Sequence, residues 1–290
     1  MKIGLIGTGL MGLPMAERLL AANIPLVLYN RTVEKLQPLQ AVGAELADSV
    51  EELLLRCQVV ILMLSDAPTI HEVVVSETAQ RHLCDRTIIQ MGTIAPSESR
   101  TLAAAIAQAG GDFLEAPVLG SIPEVKSGTR QIMVGSTPDQ YEQWAPLLKH
   151  LGQPMHIGAV GSAAGLKLAL NQLIASLTTA FATSLHFVQQ QEVPTEQFMQ
   201  VLRQSALYAP TFDKKLARMV EQNFANPNFP TKHLLKDTRL FLREAHDLGL
   251  HTESLEGVQH LLELACAQGL AEEDYSALSA AIPAQEDQKN

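Results

Sequence analysis

Short apolar runs alternate with amphipathic segments over the first half of the chain. The apolar runs predict buried strands, and the segments with apolar residues three or four apart predict helices. Strands are expected at 1–7, 25–29, 59–64, 87–91, 113–118, 131–134 and 155–157, and helices at 13–22, 33–41, 49–57 and 138–150. This alternation is typical of a doubly wound α/β sheet. We therefore predict an N-terminal Rossmann domain over residues 1–161.

Only helical patterns follow the Gly158-Ala159-Val160-Gly161 hinge. They predict helices at 164–191, 195–205, 212–222, 231–248 and 255–268, and hence an all-α C-terminal domain over residues 162–290. The first of these helices is apolar around nearly its whole circumference, so it must be covered on all sides. At 1.5 Å per residue it is about 42 Å long. We expect a second subunit to help cover it, as in a homodimer or homotetramer.

Composition narrows the function classes. The chain has 290 residues, 47% of them hydrophobic, and a formal net charge of -10. An acidic chain argues against a nucleic-acid partner or an anionic membrane surface. The long apolar helix is interrupted by Lys167, Asn171 and Gln172, which argues against a membrane span. The three cysteines are far apart and the N-terminus lacks a secretory signal, so we expect a cytoplasmic protein without disulfides.

A glycine-rich loop follows the first predicted strand directly. It reads Gly7-Thr8-Gly9-Leu10-Met11-Gly12 and leads into an amphipathic helix. Glycines at this spacing allow a tight turn, close approach of the backbone to a pyrophosphate and close packing of the helix. We predict dinucleotide binding here, with contacts from Gly7, Gly9, Leu10, Met11 and Gly12. An ordinary glycine turn is the alternative.

The end of the second predicted strand indicates which dinucleotide. The chain reads Asn30-Arg31-Thr32, with Lys35 one turn later, where an NAD-binding unit usually has an acidic residue. An arginine can pair with the 2′-phosphate of NADP, whereas a carboxylate would repel it. These residues favour NADP (NADPH), although Arg31 in a solvated loop is the alternative.

Further candidates follow the ends of later strands, where ligands bind in open α/β sheets. Leu64 and Ser65 begin the loop Ser65-Asp66-Ala67-Pro68. Thr93 could lie beside the nicotinamide or could instead cap the helix that contains Ser97 and Glu98. The backbone of Leu119-Gly120-Ser121 and the Ser121 hydroxyl could receive a substrate carboxylate.

Lys167 and Asn171 are the candidate catalytic pair. They stand four residues apart, so their side chains share one face of the predicted helix. Burial among leucines would lower the pKa of the lysine towards the range where it exchanges a proton near neutral pH. Asn171 could hold the amine or a bound oxygen. The alternative is that Lys167 extends to water and Asn171 is an ordinary polar residue.

Taken in order, four motifs resemble the β-hydroxyacid dehydrogenases, a 6-phosphogluconate dehydrogenase-like family that includes 3-hydroxyisobutyrate dehydrogenase. They are the glycine loop, the Glu115-Ala116-Pro117-Val118 strand, the lead from Gly158 into Lys167 and Asn171, and the late Phe229 with Lys236-Asp237. The resemblance spans residue 1 to about residue 250. It implies a Rossmann domain, a helical domain and catalysis in the cleft between them.

The resemblance also implies residue roles. Lys167 would protonate the carbonyl oxygen as hydride arrives from the nicotinamide, and Asn171 would orient substrate and lysine. Thr93 would lie beside the nicotinamide, and Lys236 would close over cofactor or substrate. The turn at Leu119, Gly120 and Ser121 would bind the substrate carboxylate.

Several residues depart from the family pattern. Leu119-Gly120-Ser121 replaces a common Ser-Gly-Gly, Gly92 replaces a common serine, and Arg130 follows Gly128-Thr129 where an apolar residue is usual. The motifs are most similar to the NADPH-dependent glyoxylate/succinic semialdehyde reductase branch. We expect an oxidoreductase that reduces a small aldehyde acid to its hydroxy acid.

Other functions are weighed on the same residues. A 3-hydroxyisobutyrate- or tartronate-semialdehyde-type dehydrogenase would differ only in substrate contacts. An imine reductase usually replaces the lysine, so Lys167 speaks against it. A non-catalytic NADP-binding sensor would not need Lys167, Asn171 and Lys236. Because the nine histidines are scattered and no HExxH, GxSxG or P-loop occurs, we expect no metal site.

Overall fold

The first half of the protein is a mostly parallel sheet with helices on both faces. The computed structural model describes residues 1–120 and 122–283, so Ser121 lies outside the described residues. The strands are β1 Ile3–Ile6, β2 Leu26–Tyr29, β3 Glu45–Leu46, β4 Val59–Leu62, β5 Thr87–Gln90, β6 Asp112–Glu115, β7 Val118–Leu119, β8 Gln131–Gly135 and β9 Gln153–Gly158. The helices between them are α1 Gly12–Ala21, α2 Gln37–Ala41, α3 Val50–Arg56, α4 Ala67–Val74, α5 Pro96–Gln108, α6 Ile122–Ser127 and α7 Pro138–Leu148.

Strand order places the ends of four parallel strands side by side. The sheet runs β3-β2-β1-β4-β5-β6-β8-β7, with β9 beside β8. In the parallel part, Ile6 pairs with Leu62, Leu62 with Gln90, and Gln90 with Glu115. The strand β8 is antiparallel to both β6 and β7. This is the predicted Rossmann sheet, and the loops after β1, β4, β5 and β6 leave it at one edge.

Two apolar layers sandwich the sheet because its strands are buried on both faces. One layer contains Met15 and Leu19 of α1 together with Trp144 and Leu148 of α7. The other contains residues of α3, α4 and α5, such as Leu53, Ile70, Val74, Leu102 and Ile106. Almost uninterrupted apolar strands, such as the fully buried β4, are what a parallel sheet requires.

The second half is helical, as predicted. Its α-helices are α8 Ser162–Gln190, α9 Thr195–Arg203, α10 Pro210–Glu221, α11 Thr231–Asp247 and α12 Glu253–Ala265. Short helical turns at Cys266–Leu270 and Tyr275–Ala281 follow. Buried residues of all five helices form one core, among them Phe181, Met199, Phe212, Leu234 and Leu262. The compact units divide within α8, after Leu168, so the first turns of this helix belong to the Rossmann unit.

A buried ion pair joins α10 to the segment after α12. The Lys215 ammonium lies 2.7 Å and 2.8 Å from the two carboxylate oxygens of Asp274. It also lies 4.1 Å from the centre of the Tyr275 ring. Burial lowers the pKa of Lys215, and Asp274 opposes that change. The pair therefore compensates a charge inside the helical core.

Several elements differ from the sequence-based expectation. Residues 63–66 form the loop after β4, and helix α4 begins at Ala67 because the Asp66 side chain accepts a hydrogen bond from the Thr69 N–H at 2.9 Å. The expected strand 113–118 is two strands, β6 and β7, separated by Ala116 and Pro117. A proline there has no N–H to donate to the ladder. The expected helix 33–41 begins as a 3₁₀ turn at Val33–Leu36.

By length and composition alone, α8 could cross a membrane, and it is the one helix among the described residues that passes this test. The same test is passed by core helices of soluble proteins. Part of α8 lies in the core of the helical unit, where Ala175, Phe181 and Leu185 are buried.

Candidate active site

Each glycine of the loop after β1 has a separate structural reason. Gly7 has a φ of +96°, and a Cβ there would lie 2.4 Å from the Met63 carbonyl oxygen. A Cβ on Gly12 would lie 1.9 Å from the Gly7 carbonyl oxygen, so α1 packs on the loop only with glycine there. A Cβ on Gly9 would meet no described atom within 4 Å. Gly9 is therefore not needed for packing, and its open side suits a pyrophosphate.

Asn30 connects the glycine loop to the turn after β2. Its Oδ1 accepts a hydrogen bond from the Thr8 N–H at 3.1 Å, and its Nδ2 donates to the Thr32 carbonyl oxygen at 2.9 Å. Both ends of the Asn30 amide are thus hydrogen-bonded to the backbone of the protein. The buried Thr8 hydroxyl has no hydrogen-bond partner among the described residues. An unpaired donor beside an open glycine fits a bound dinucleotide phosphate.

The predicted residues for the 2′-phosphate lie on the surface just beyond. Arg31, Thr32 and Lys35 are exposed, and the Thr32 carbonyl also accepts from the Lys35 N–H at 3.3 Å. In the glycine loop itself, Leu10 is exposed and Met11 is half-buried. Residues 30–32 contain no carboxylate. Arg31 and Lys35 can therefore hold an anionic group here without competition from an acidic side chain at these positions.

The loops after β4 and β5 touch at the same sheet edge. A Cβ on Gly92 would lie 2.4 Å from the Leu64 carbonyl oxygen, so this close approach requires glycine. The buried Gln90 side chain fixes the turn, since its Oε1 accepts from the Gly92 N–H at 2.6 Å and its Nε2 donates to the Gly92 carbonyl oxygen at 3.0 Å. The close packing of these two loops therefore explains why Gly92 stands where the family commonly has serine.

Ser65 and Thr93 lie in these two loops. The Ser65 hydroxyl donates to Asp66 Oδ2 at 2.7 Å, and Thr93 is half-buried. The alternative that Thr93 caps α5 is wrong, because the cap residue is Ala95. The Ala95 N–H donates to the Glu98 carboxylate at 2.9 Å.

Glu115, at the end of β6, ties the sheet to the start of α8. Its Oε1 accepts hydrogen bonds from the backbone N–H groups of Gly161, Ala163 and Ala164 at 2.8, 2.9 and 3.1 Å. Its Oε2 accepts from the Ser99 hydroxyl. Burial raises the pKa of Glu115, while these hydrogen bonds oppose the rise. A carboxylate here satisfies N–H groups that a helix start leaves unpaired.

Lys167 and Asn171 lie one turn apart on α8, as predicted for a single helix face. Lys167 is half-buried, and Asn171 is 2% exposed. The Asn171 Nδ2 donates to Oδ2 of Asp237 on α11 at 2.6 Å. The Asn171 Oδ1 is buried and has no hydrogen-bond partner among the described residues. The asparagine is thus held at its nitrogen and has an unused acceptor.

Lys236 directly precedes Asp237 on α11. Its ammonium lies 3.0 Å from Asp237 Oδ1, an ion pair without hydrogen-bond geometry. Asp237 is 2% exposed, so its charge is compensated mainly by Lys236 and by the Asn171 amide. Lys236, Asp237 and Asn171 therefore form one polar cluster inside the helical unit.

The predicted carboxylate turn is described in part. Leu119 ends β7 and is half-buried, and Gly120 has a φ of +127°. Its predicted hydroxyl, that of Ser121, lies outside the described residues. Residues 118 and 119 pair with 132 and 131 of β8, which places the turn beside the start of that strand.

Glu115 and Asp237 lie in sequence motifs that indicate no role for either residue. Apart from Ser99, which lies 16 residues before Glu115, their partners lie 46 to 49 and 66 residues away along the chain, so no local pattern shows the contacts. The signal that could have found them is an acidic residue inside an otherwise apolar strand or helix face. Such a residue needs a buried partner. Among the described residues no group of three or more His, Cys, Asp or Glu could hold a metal ion.

Two family models together cover nearly the whole chain. The NAD binding domain of 6-phosphogluconate dehydrogenase matches residues 2–161. The NAD-binding domain of NADP-dependent 3-hydroxyisobutyrate dehydrogenase matches residues 161–282. The two matches meet at Gly161, the residue before α8 begins.

Curated relatives and solved structures agree with this assignment. Glyoxylate/succinic semialdehyde reductase 2, chloroplastic, from Arabidopsis thaliana is 30% identical over 98% of this chain and 80% of its own length. The 2-hydroxy-3-oxopropionate reductase of Escherichia coli is 31% identical over 97% of each chain. A 3-hydroxyisobutyrate dehydrogenase structure from Mycobacterium tuberculosis with L-serine superposes with a TM-score of 0.88, at 20% identity, over 98% of this chain and 99% of the other.

The glycine loop, the lysine and asparagine on α8 and the late Lys236-Asp237 lie within these matched regions, and both the motifs and the fold agree with the comparisons. The expected resemblance is confirmed: the chain belongs to the NAD(P)-dependent β-hydroxyacid dehydrogenases, oxidoreductases that act on CH–OH groups.

Proposed function

We propose that this enzyme uses NADPH to reduce a small aldehyde acid, such as glyoxylate or succinic semialdehyde, to its hydroxy acid. The observation that carries the proposal is the geometry on α8. An amine at Lys167 stands one turn from an asparagine whose amide nitrogen is held by Asp237 at 2.6 Å. The names of the two curated relatives, both reductases of small aldehyde acids, favour this substrate class.

Gly7, Gly9 and Gly12 would hold NADPH, which would supply the hydride for the carbonyl carbon of the substrate. The Lys167 ammonium donates a proton to the carbonyl oxygen, which becomes the hydroxyl of the product. The lysine then regains a proton from solvent. In the oxidative direction the neutral amine accepts the hydroxyl proton instead. A proton donor in position at the reacting oxygen typically contributes 10²–10⁴-fold to the rate, as an order-of-magnitude estimate.

Asn171 assists the proton transfer because its amide nitrogen already donates a hydrogen bond to Asp237. With Nδ2 on Asp237, the amide has its Oδ1 left as a buried acceptor. That oxygen can accept a hydrogen bond from the Lys167 amine or from the substrate hydroxyl. Since the amide has a single orientation that keeps the Asp237 bond, it does not need to reorganise during the reaction.

The preference for NADP over NAD follows from the turn after β2. Arg31 and Lys35 are exposed cations there, and Thr32 adds a hydroxyl. A 2′-phosphate forms charge-assisted hydrogen bonds with a guanidinium. We expect Arg31→Gln to weaken NADPH binding about 10- to 100-fold, by analogy with a lost charge-assisted bond, while NADH binding changes little. Equal losses for both dinucleotides would assign Arg31 no role in the choice.

A second copy of this chain is the partner that α8 fits. Leu166, Leu173, Leu177 and Phe187 lie along one side of this helix and are 36, 52, 39 and 66% exposed. An uncovered apolar stripe of this length marks an interaction surface. All three cysteines are free, which fits a reducing compartment such as the cytoplasm.

The first test is oxidation of NADPH and NADH, measured as loss of reduced nicotinamide absorbance. The substrates are glyoxylate, succinic semialdehyde, tartronate semialdehyde and methylmalonate semialdehyde, with a cyclic imine as a further arm. Lys167→Ala is compared with Lys149→Ala, which removes an exposed lysine from the same unit. NADPH binding is measured by fluorescence in both variants, so that loss of folding is distinguished from loss of chemistry.

The proposal requires NADPH-dependent turnover that falls at least about 100-fold in Lys167→Ala, with binding retained. The best aldehyde then names the substrate. Undiminished activity in that variant would remove the proton-donor assignment. Turnover of the imine alone would favour an imine reductase, and tight NADPH binding without any turnover would favour a sensor.

A further inference from the structure

Arg130 is a fully buried cation without a hydrogen-bond partner in the part of the chain that the structure describes. Its side chain is 0% exposed, yet none of its three guanidinium nitrogens has a hydrogen-bond partner among the described residues. Buried arginines are otherwise paired with carboxylates or carbonyls, because an isolated buried charge is costly. Arg130 also stands where the family pattern has an apolar residue. This chain has therefore acquired a charge that its own described residues do not compensate.

The surroundings of Arg130 add positive charge. Burial and, to a lesser extent, the nearby charge of Arg18 together lower the pKa of Arg130 to about 10. Arg130 is still protonated at pH 7, so two guanidinium groups share this region. Arg18 is half-buried on α1, and its Nε donates to the His150 carbonyl oxygen. A Cβ on Gly128 would lie 2.1 Å from Arg18 Nη2, so the Arg18 guanidinium lies against this turn.

The position of Arg130 also relates it to the predicted carboxylate turn. In the β7–β8 ladder, Leu119 pairs with Gln131, so Gly120 stands opposite Arg130. A Cβ on Gly120 would lie 3.1 Å from Arg130 Cγ and 3.1 Å from Glu124 Cβ. Glu124 is the carboxylate nearest to this point in sequence, but it makes no hydrogen bond to the guanidinium of Arg130.

We propose that Arg130 and Arg18 form an oxyanion-binding site in the Rossmann unit, separate from the glycine loop. Its ligand is a carboxylate or a phosphate, since both present the planar or forked oxygen pairs that guanidinium groups bind. The bound anion compensates the buried charge of Arg130. Occupancy also holds the Gly120 turn against the start of β8. The site does not depend on the reductase activity proposed above.

The experiment uses the protein saturated with NADPH, so that the glycine loop and Arg31 are occupied. After exhaustive dialysis into a buffer without phosphate or carboxylates, inorganic phosphate is titrated at constant ionic strength set with chloride. Thermal unfolding is recorded at each concentration, and acetate is titrated in a parallel series. Arg130→Leu is compared with Arg81→Leu, which removes an exposed arginine paired with Glu77.

For the wild type we expect a saturable rise in Tm, on the order of 5 °C at a hundredfold excess over Kd. Arg130→Leu should show no such rise and should unfold at a higher temperature than the wild type in the anion-free buffer. Arg81→Leu should behave like the wild type. Arg18→Gln keeps Arg130 and should weaken phosphate binding about tenfold, by loss of one charge-assisted partner.

Several results would overturn the site. One is a phosphate response that Arg130→Leu retains, and another is a wild type that does not respond to either anion. A response that appears only in Glu124→Gln would show that Glu124 already compensates Arg130. If these experiments confirm the anion site, the KM for the aldehyde acid shows which anion occupies it. A raised KM in Arg130→Leu identifies the substrate carboxylate, and an unchanged KM identifies a free anion.

Discussion

Asp237 acts on the candidate catalytic residues through one hydrogen bond. It accepts from Asn171 Nδ2 at 2.6 Å inside the helical unit. In Asp237→Asn the new amide can turn its own N–H groups towards Asn171, which lets the Asn171 amide rotate. Loss of a charge-assisted bond costs about 1.5–3 kcal/mol, so kcat should fall roughly 10- to 100-fold. Steady-state kinetics with saturating NADPH measure this.

A matched control is Asp247→Asn, since Asp247 is an exposed aspartate on the same helix. It should leave kcat and KM unchanged. In Asp237→Asn the Kd for NADPH should also stay near the wild-type value if the effect passes through Asn171. A fall in kcat that is matched by an equal loss of NADPH affinity would instead assign Asp237 to cofactor binding.

His233 gives the helical unit a dependence on pH. Its ring stacks on Phe229 at a centroid distance of 6.5 Å, one turn before Lys236. Burial lowers the pKa of His233, and the charges of Lys236 and Lys232 lower it further. The unfolded chain therefore takes up the proton first as the pH falls below about 6.5. Native stability is lost on acidification through this range.

His233→Gln should remove that component. The loss of unfolding free energy between pH 7 and pH 5 should be smaller in this variant than in the wild type, as measured by urea unfolding at each pH. His150→Gln, which changes an exposed histidine, should keep the wild-type slope. Identical slopes in all three proteins would mean that folding does not lower the pKa of His233.

The sequence predicts some residues of the candidate site and not others. The glycine loop is a local pattern, and the structure gives a packing reason for Gly7 and Gly12 and an open side to Gly9. Lys167 and Asn171 were predictable as a pair because helix periodicity fixes residues four apart. Asp237 and Arg130 were not, because their significance depends on what lies beside them in three dimensions.

At the scale of elements, Glu115 determines where α8 begins. Glu115→Ala would leave three backbone N–H groups and the Ser99 hydroxyl without their acceptor. Each buried group left unsatisfied costs about 1–3 kcal/mol, so the Rossmann unit should lose at least about 3 kcal/mol. Glu115→Gln keeps an acceptor oxygen and should lose clearly less.

The fluorescence of Trp144 reports the stability of the Rossmann unit directly. Trp144 is the single tryptophan of the chain and is buried in the core of the Rossmann unit. Urea unfolding followed by tryptophan fluorescence therefore measures the unit that contains Glu115. Exposed Glu142→Ala, on the same helix as the tryptophan, serves as control. Equal stability of Glu115→Ala and the control would show that solvent replaces the carboxylate at the start of α8.

The elements that sequence patterns missed share a physical cause. Strand β3 has two residues, and α6 has six, so neither offers enough periods for a pattern. Helix α4 is capped by Asp66 and has Pro68 in its first turn, and both residue types also mark turns. Only the contact of Asp66 with the Thr69 N–H distinguishes a helix cap from a turn. The long elements were predictable because they repeat one period several times.

For the whole molecule, the order of strands and helices carries most of the fold. Parallel strands need crossover connections, so alternating strands and helices leave few sheets to consider. The order of β7 and β8 did not follow from that rule. They pair antiparallel with each other, and β8 also pairs antiparallel with β6, through short connections that the sequence does not distinguish from loops.

The last prediction concerns assembly through α8. This helix has 29 residues and is about 44 Å long. It leaves Leu173 52% exposed in the middle of its apolar stripe. If two copies pack along this stripe, Leu173→Glu places a charge at the centre of the interface, and such a charge costs several kcal/mol when it is left unpaired. We expect the wild type to sediment as a dimer or tetramer in detergent-free buffer and the variant to sediment as a monomer.

Leu207→Glu is the control because Leu207 is 78% exposed but lies outside α8. It should keep the wild-type assembly state. A monomeric wild type, or an unchanged assembly in Leu173→Glu, would contradict pairing along this stripe. Binding of the wild type, but not of Leu173→Glu, to phosphatidylcholine vesicles would assign the stripe to a lipid surface instead. Because α8 carries both Lys167 and the stripe, comparing kcat of Leu173→Glu with its assembly state then shows whether the lysine depends on the second copy.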